Sequence, residues 1–199
     1  MHFSIRSFHT TDLTSLYRIC LLTGDNGKDG SRLYNDPDIP GHIFAAPYAY
    51  FEPDLCFVLT RDNLPCGYIL GTRDSVAFHE QCERDWFAPL RERYPLASAN
   101  DVSPQAKMIR LLHVGHRPHD EAESYPAHLH IDILPEGQGQ GLGRKLIETF
   151  LNRLKELGVL GVHLGVGKQN PKAIGFYEKL GFQMLQEMPT YLLLGMKLQ

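Results

Sequence analysis

At 199 residues the chain is long enough for one domain with a buried core. Its 43% hydrophobic and 22% charged residues are those of a water-soluble globular protein, and a formal charge of -3 offers no basic face for nucleic acid. No run approaches the ~20 apolar residues that cross a bilayer. Residues 1–20 lack a signal-peptide core, and Cys20, Cys56, Cys66 and Cys82 form no C-x-x-C pair, so reduced thiols in a cytoplasmic protein are expected.

Residues 2–8 alternate apolar and polar, as a half-buried strand does. Thr10 or Thr11 is the expected N-cap of a helix running through Leu13, Leu16, Tyr17, Cys20 and Leu21, with Asp12 in its first turn. The pattern fades at Gly24-Asp25-Asn26-Gly27. Residues 25–53, rich in Gly, Pro, Asp and Tyr, read as a long ordered loop holding one short helix. Residues 55–61 and 65–72 read as strands of a hairpin turning at Asp62-Asn63. The stretch 74–125 is expected to hold helices around 76–93 and 103–114, then a polar loop.

Residues 126–134 form a major strand, and Gly141 to Leu157 an amphipathic helix with Leu142, Leu146, Phe150, Leu154 and Leu157 on one stripe, stopped by Gly158. A strand at 160–166, a helix at 171–180 capped by Asn170 with Pro171 in its first turn, and strands near 182–187 and 191–197 complete the chain. This order implies an α/β (α+β) domain, a mixed sheet with helices on both faces.

Between the strand ending at Leu134 and the helix after it lies Gln138-Gly139-Gln140-Gly141-Leu142-Gly143. A glycine-rich turn opening a helix offers unpaired amides and a helix dipole to an anion, and Arg144 and Lys145 add positive charge. Glycines at every second position, Gly137 to Gly143, match neither the dinucleotide fingerprint nor the P-loop. Along the preceding strand His128, His130 and Asp132 share one face, with Leu129, Ile131 and Ile133 on the other.

Two motifs resemble those of the GNAT acetyltransferase family. The first, Val-x-Pro-x-x-(Arg/Gln)-x-x-Gly-x-Gly, is met by Ile133, Pro135, Gln138, Gly141 and Gly143. The second, Asn-x-x-Ala-x-x-x-Tyr-x-x-x-Gly-Phe, is met by Asn170, Ala173, Tyr177, Gly181 and Phe182. A narrower resemblance, carried by Leu55–Leu59, Cys66–Thr72, Tyr125-Pro126 and Phe176–Gly181, is to the acetyltransferase-like domain at the C-terminus of animal O-GlcNAcase, of which this chain would be a free-standing relative.

The resemblance implies a mostly antiparallel sheet of about six or seven strands within one domain, and an acetyl-CoA-binding part over 126–182. It places pantetheine and the thioester carbonyl on the backbone of Ile131–Ile133, including Asp132, and pyrophosphate on Gln138, Gly139, Gln140, Gly141, Leu142, Gly143 and Arg144. Asn170, Ala173, Phe176 and Tyr177 would line the cofactor from the second helix. Tyr177 is the implied general acid; its alternative is a core aromatic beside Ile174 and Leu180. As base the strand offers Asp132, then His130, then His128, and the aspartate serves equally well as a hydrogen-bond anchor.

The implied activity is N-acetyl transfer to an amine, on a small molecule or a protein lysine, without metal, nucleic acid or membrane. O-acetylation or transfer of a longer acyl chain is an open variant. The competing reading is a weak or inactive acetyl-CoA-binding or protein-interaction module. His113, His116 and His119 with Asp120, Glu121 and Glu123 read as a solvated loop rather than a metal site, because Gly115 and Pro118 interrupt any common face. Trp86, Phe44, Tyr48, Tyr50 and Phe51 read as packing before acceptor pocket, and Asp25, Asp29, Asp36 and Asp38 as an acidic loop that would suit a cationic acceptor.

Overall fold

A computed structural model describes residues 2–115 and 117–198. Seven strands form one sheet in the order β1-β2-β3-β4-β5-β7-β6. They are β1 (Phe3–Ser7), β2 (Cys56–Arg61), β3 (Leu64–Thr72), β4 (Ala127–Ile133), β5 (Gly161–Gly167), β6 (Gln183–Glu187) and β7 (Tyr191–Lys197). Every neighbouring pair is antiparallel except β4 and β5, which run parallel. The β2–β3 hairpin turns where the sequence predicts, with Asp62 and Asn63 both at positive φ (49° and 67°), the twist that two-residue turns require.

Helices cover both faces. Residues directly opposite in β3 and β4 point the same way, so Tyr68 and Leu70 share a face with Asp132 and His130, and Ile69 and Gly71 share the other with Ile131 and Leu129. The first face receives α1 (Leu13–Thr23), α2 (Ile39–Phe44), α3 (Ala46–Phe51) and α4 (Ser75–Cys82); α5 (Ala88–Arg93) and α6 (Pro104–Val114) continue that layer. The second receives α7 (Leu142–Glu156), whose Leu142, Leu146, Phe150 and Leu154 are buried as their spacing predicts. Gly71 allows this approach, since a Cβ there would strike both the His128 carbonyl and the Phe150 ring. Between β5 and β6 comes α8 (Pro171–Leu180). Among the described residues no helix is long and apolar enough to cross a membrane.

Three expectations need correction. Residues 25–53 hold two short helices, α2 and α3, because Ile39, Ile43 and Tyr48 are drawn into the core at full burial. The helix expected over 76–93 is broken by a π-turn at Glu83–Phe87, which lets Trp86 reach back to the His42 carbonyl at 2.9 Å. The N-cap of α1 is Asp12, not a threonine: a 3-10 turn at Thr10–Asp12 precedes the helix, and the capping box of that turn joins the His9 ring to the Thr11 amide and the Asp12 carboxylate to the His9 amide.

Asp12 also receives a bidentate contact from Arg6 on β1 at 2.6 and 2.8 Å, tying the first strand to the first helix. The Arg6 hydrogen bonds hold the Asp12 carboxyl below the usual carboxylate range. A depressed carboxylate contributes stability above its unfolded value and loses it as pH falls through the folded one. Asp12→Asn is therefore expected to cost about 2 kcal/mol near neutrality, with the gap to the wild-type protein closing below about pH 4. Urea titrations across pH measure it; a gap that persists at low pH would show that the charge is not the cause.

Candidate active site

Strands β4 and β5 pair only at Ala127–Val162 and His128–His163, then diverge. On its other edge β4 stays paired with β3 through Ile133, and the Leu134 amide donates to the Cys66 carbonyl at 2.8 Å. Because amides alternate sides along a strand, those of Ile131 and Ile133 face the gap left by β5. Gln138 closes the far end by donating its side-chain amide to the Ile133 carbonyl at 2.7 Å.

The glycine turn borders this gap. Gly139 and Gly141 take positive φ (76° and 74°), and the space where a Cβ would stand is open at both. Gly141 forms the left-handed N-cap of α7, and the amides from Gly139 to Arg144 have no backbone acceptor among the described residues. Gly143 lets α8 come close, since a Cβ there would meet the Phe176 ring at 3.3 Å. Arg144 is exposed and only distantly paired with Glu148, at 3.9 Å. From α8, Lys172 reaches Gln138 at 3.4 Å. Asn170 accepts from the Ala173 amide at 3.1 Å as the cap it was predicted to be, and also donates to the Asn26 carbonyl at 3.4 Å, tying α8 to the turn after α1.

The ionisable face of β4 meets this region from the other side. Asp132 is half-buried and accepts from Tyr68 on β3 at 2.6 Å. Burial raises its carboxyl above the usual range, and hydrogen bonding only partly offsets that. Tyr177 on α8 is buried at 9% exposure; burial raises its phenol, and the nearby Asp132 adds to the shift. The predicted acid and the first-choice base therefore sense each other across the gap.

The histidines of β4 are joined by a side chain assigned only to packing in the sequence. Tyr48 on α3 lies 2.7 Å from His128 Nε2 and 3.1 Å from His130 Nε2. Ser75, the first residue of α4, lies 2.7 Å from His128 Nδ1 and donates to the Pro126 carbonyl, also at 2.7 Å. Tyr48, Ser75, His128, His130, His163 and His119 line a cavity of about 130 Å³ that reaches Leu164 and Gly165 on β5. Burial lowers the basicity of His163.

The other aromatic and loop residues divide. Phe44 packs on the His130 ring at 5.5 Å, and Trp86 and Tyr50 border a second cavity with Tyr17 and His42. Asp36 is not available to a cationic acceptor, being held by Arg93 at 3.0 Å and Tyr94 at 2.7 Å. Of the three loop histidines, His113 contacts the Tyr94 carbonyl and His116 lies outside the described residues. His119 departs from the solvated-loop expectation by turning to the cavity, its ring 5.8 Å from that of His163. Among the described residues no cluster could hold a metal ion.

The profile of the acetyltransferase (GNAT) family matches residues 29–182. Protein O-GlcNAcase of Rattus norvegicus is 26% identical over 95% of this chain but only 21% of its own length, so the chain spans about a fifth of that relative. The crystal structure of SsHAT superposes with a TM-score of 0.93 at 37% identity, covering all of both chains. YncA of Salmonella typhimurium, a putative acetyltransferase solved with its cofactor acetyl-CoA, shares the fold at a TM-score of 0.61 and 16% identity, over 99% of this chain and 94% of its own.

Asp132 allows a direct test of how this site trades stability for chemistry. A carboxyl raised by burial favours the folded state while protonated, and that contribution is lost as pH rises through the folded value. Asp132→Asn keeps an acceptor for Tyr68 and removes the buried charge. At pH 7 it is expected to gain about 1 kcal/mol, seen as a thermal midpoint about 2–4 °C higher. A fall in midpoint would show instead that the charge anchors the fold.

Proposed function

Because the chain belongs to the acetyltransferase (GNAT) family, we propose that it transfers acetyl from acetyl-CoA to an amine, on a small molecule or a protein lysine. The observation that carries this reading is the gap between β4 and β5. Open amides follow it in the glycine turn, Asp132 and His130 share one face of the strand beside it, and Asp132 acts on the buried Tyr177 phenol. The acetyl-CoA of the Salmonella typhimurium relative supports the same donor here.

The residues suit that donor by chemistry. The amides of Gly139, Gln140, Gly141, Leu142, Gly143 and Arg144, with the Arg144 guanidinium and Gln138 beside them, would bind pyrophosphate at the α7 N-terminus. The Ile131 and Ile133 amides would hold pantetheine and polarise the thioester carbonyl as an oxyanion site. Asn170, Ala173 and Phe176 would form the opposite wall. Tyr177 keeps its proton at every working pH, so it would donate to the sulfur as the carbon–sulfur bond breaks. Asp132, drawn toward neutrality by burial, and His130, next on the same face, are the groups able to take the amine's proton. Buried, unpaired cysteines fit the reducing cytoplasm in which we place the protein.

The test is thiol release from acetyl-CoA in the presence of spermidine, a blocked lysine peptide and an aminosugar. Release with at least one amine is expected. Tyr177→Phe is expected to lower kcat about 100-fold, with the KM for acetyl-CoA little changed. Tight acetyl-CoA binding without release across the panel would favour the inactive binding module instead.

A further inference from the structure

We infer that the cavity between α1, α2, α3 and α5 binds a quaternary ammonium group, of the kind carried by choline. This stands whether or not the chain transfers acetyl, since the cavity shares no residue with β4 or the glycine turn. It measures about 380 Å³ and is lined by Tyr17, Tyr50, Asp85 and Trp86, with His42, Pro89 and Leu90 beside them. That volume is in the range of small-molecule sites, and aromatic rings with a carboxylate are what an organic cation needs.

The local fold explains how these groups meet. The π-turn at Glu83–Phe87 carries both Asp85 and Trp86, and such turns occur frequently at functional sites. The Trp86 indole N–H donates to the His42 carbonyl at 2.9 Å, which fixes the ring at the cavity wall before any ligand arrives. Tyr50 lies beside it, with ring centroids 5.7 Å apart and planes inclined at 42°. Tyr50 keeps 70% of its surface exposed, so most of that ring is left uncovered by the rest of the chain.

Charge favours a cation. Asp85 is the one charged side chain in the lining. Its partner is the adjacent Arg84 at 2.8 Å, in an exposed pair of the kind that contributes little and that a ligand cation can share. Burial, then Arg93, lowers the basicity of His42, so that ring is neutral at pH 7. Arg93 reaches His42 Nε2 at 3.4 Å but is held by Asp36 at 3.0 Å. Asp38 acts on both Tyr17 and His42 and adds to the negative potential.

Hydrogen bonding selects the type of ammonium. A primary ammonium brings three N–H donors that must find acceptors once water is shed. The cavity has few to spare, because the His42 carbonyl is taken by Trp86 and the Tyr17 hydroxyl is bonded to His42 Nδ1 at 2.7 Å. A quaternary ammonium has no donor to satisfy, so ring faces and one carboxylate suffice for it.

Trp86 is the chain's single tryptophan, so its fluorescence reports on this cavity directly. Titration with choline is expected to change that fluorescence saturably. Choline is expected to bind at least about tenfold tighter than ethanolamine, and than its neutral isostere in which carbon replaces nitrogen. Tyr50→Ala removes an exposed ring and is expected to weaken choline about tenfold, whereas Tyr50→Phe should stay within about twofold. Asp85→Asn is expected to weaken choline and flatten the salt dependence of its binding. A trimethyllysine peptide titrated in parallel separates the two sources of the group. Tighter binding of the peptide than of choline places it on a protein, and weaker binding places it on a free small molecule. Equal binding of choline and its neutral isostere, tighter binding of ethanolamine, or no saturable change in fluorescence with any of these ligands overturns the inference.

Discussion

Strand β4 is paired from His128 to Ile133 on one edge and for only two residue pairs on the other, and the layout of the candidate site follows from that inequality. The cause is competition between neighbours. β3 binds β4 from His128 to Ile133, while β5 is held over its full length by β7, from Gly161–Lys197 to Gly167–Tyr191. Two well-ordered half-sheets share a short seam at Ala127 and His128 and splay beyond it. Backbone donors on an open strand edge are a liability when nothing covers them. Here Gln138 closes the far end of that edge by donating to the Ile133 carbonyl, just before the glycine turn that opens α7.

The side chains beside the gap obey a related constraint. Three ionisable groups share one strand face. Among the described residues hydroxyls bond to them, Tyr68 to Asp132, Tyr48 to both histidines and Ser75 to His128. Hydroxyls satisfy hydrogen bonds without adding charge. Tyr68 and Tyr48 are fully buried in the helix-covered face, so the same rings that fill the core also set the state of the site.

How much of this was legible in the sequence depended on how local each cause is. The stripe of α7, the cap and glycine stop of α8 and the Asp62-Asn63 turn are each written within a few residues, and their structures match. Alternation along 126–134 was enough to put His128, His130 and Asp132 on one face. What bonds to that face was hidden, because Tyr48 reaches His128 across 80 residues and Tyr68 reaches Asp132 across 64. No periodicity encodes such a pairing. α2 and α3 escaped for the same reason: each is six residues long with an early proline, and exists through burial rather than propensity. His119 looked solvated because its neighbours are polar, whereas its contacts, His163 and Tyr191, lie on β5 and β7.

That contrast divides the site into two halves of different robustness. The half proposed to bind phosphate depends on backbone geometry at Gly139 and Gly141 and on a cap at Asn170, all of them short-range features. The half that gathers the ionisable side chains is assembled from α3, α4, β3 and β4, so it exists only once those elements have packed. Core substitutions around Tyr48 or Phe78 would therefore disturb the ionisable face before they disturb the glycine turn, as cores lose precise fit before they lose the fold. The two halves are held by different kinds of interaction, backbone conformation in one and long-range side-chain packing in the other.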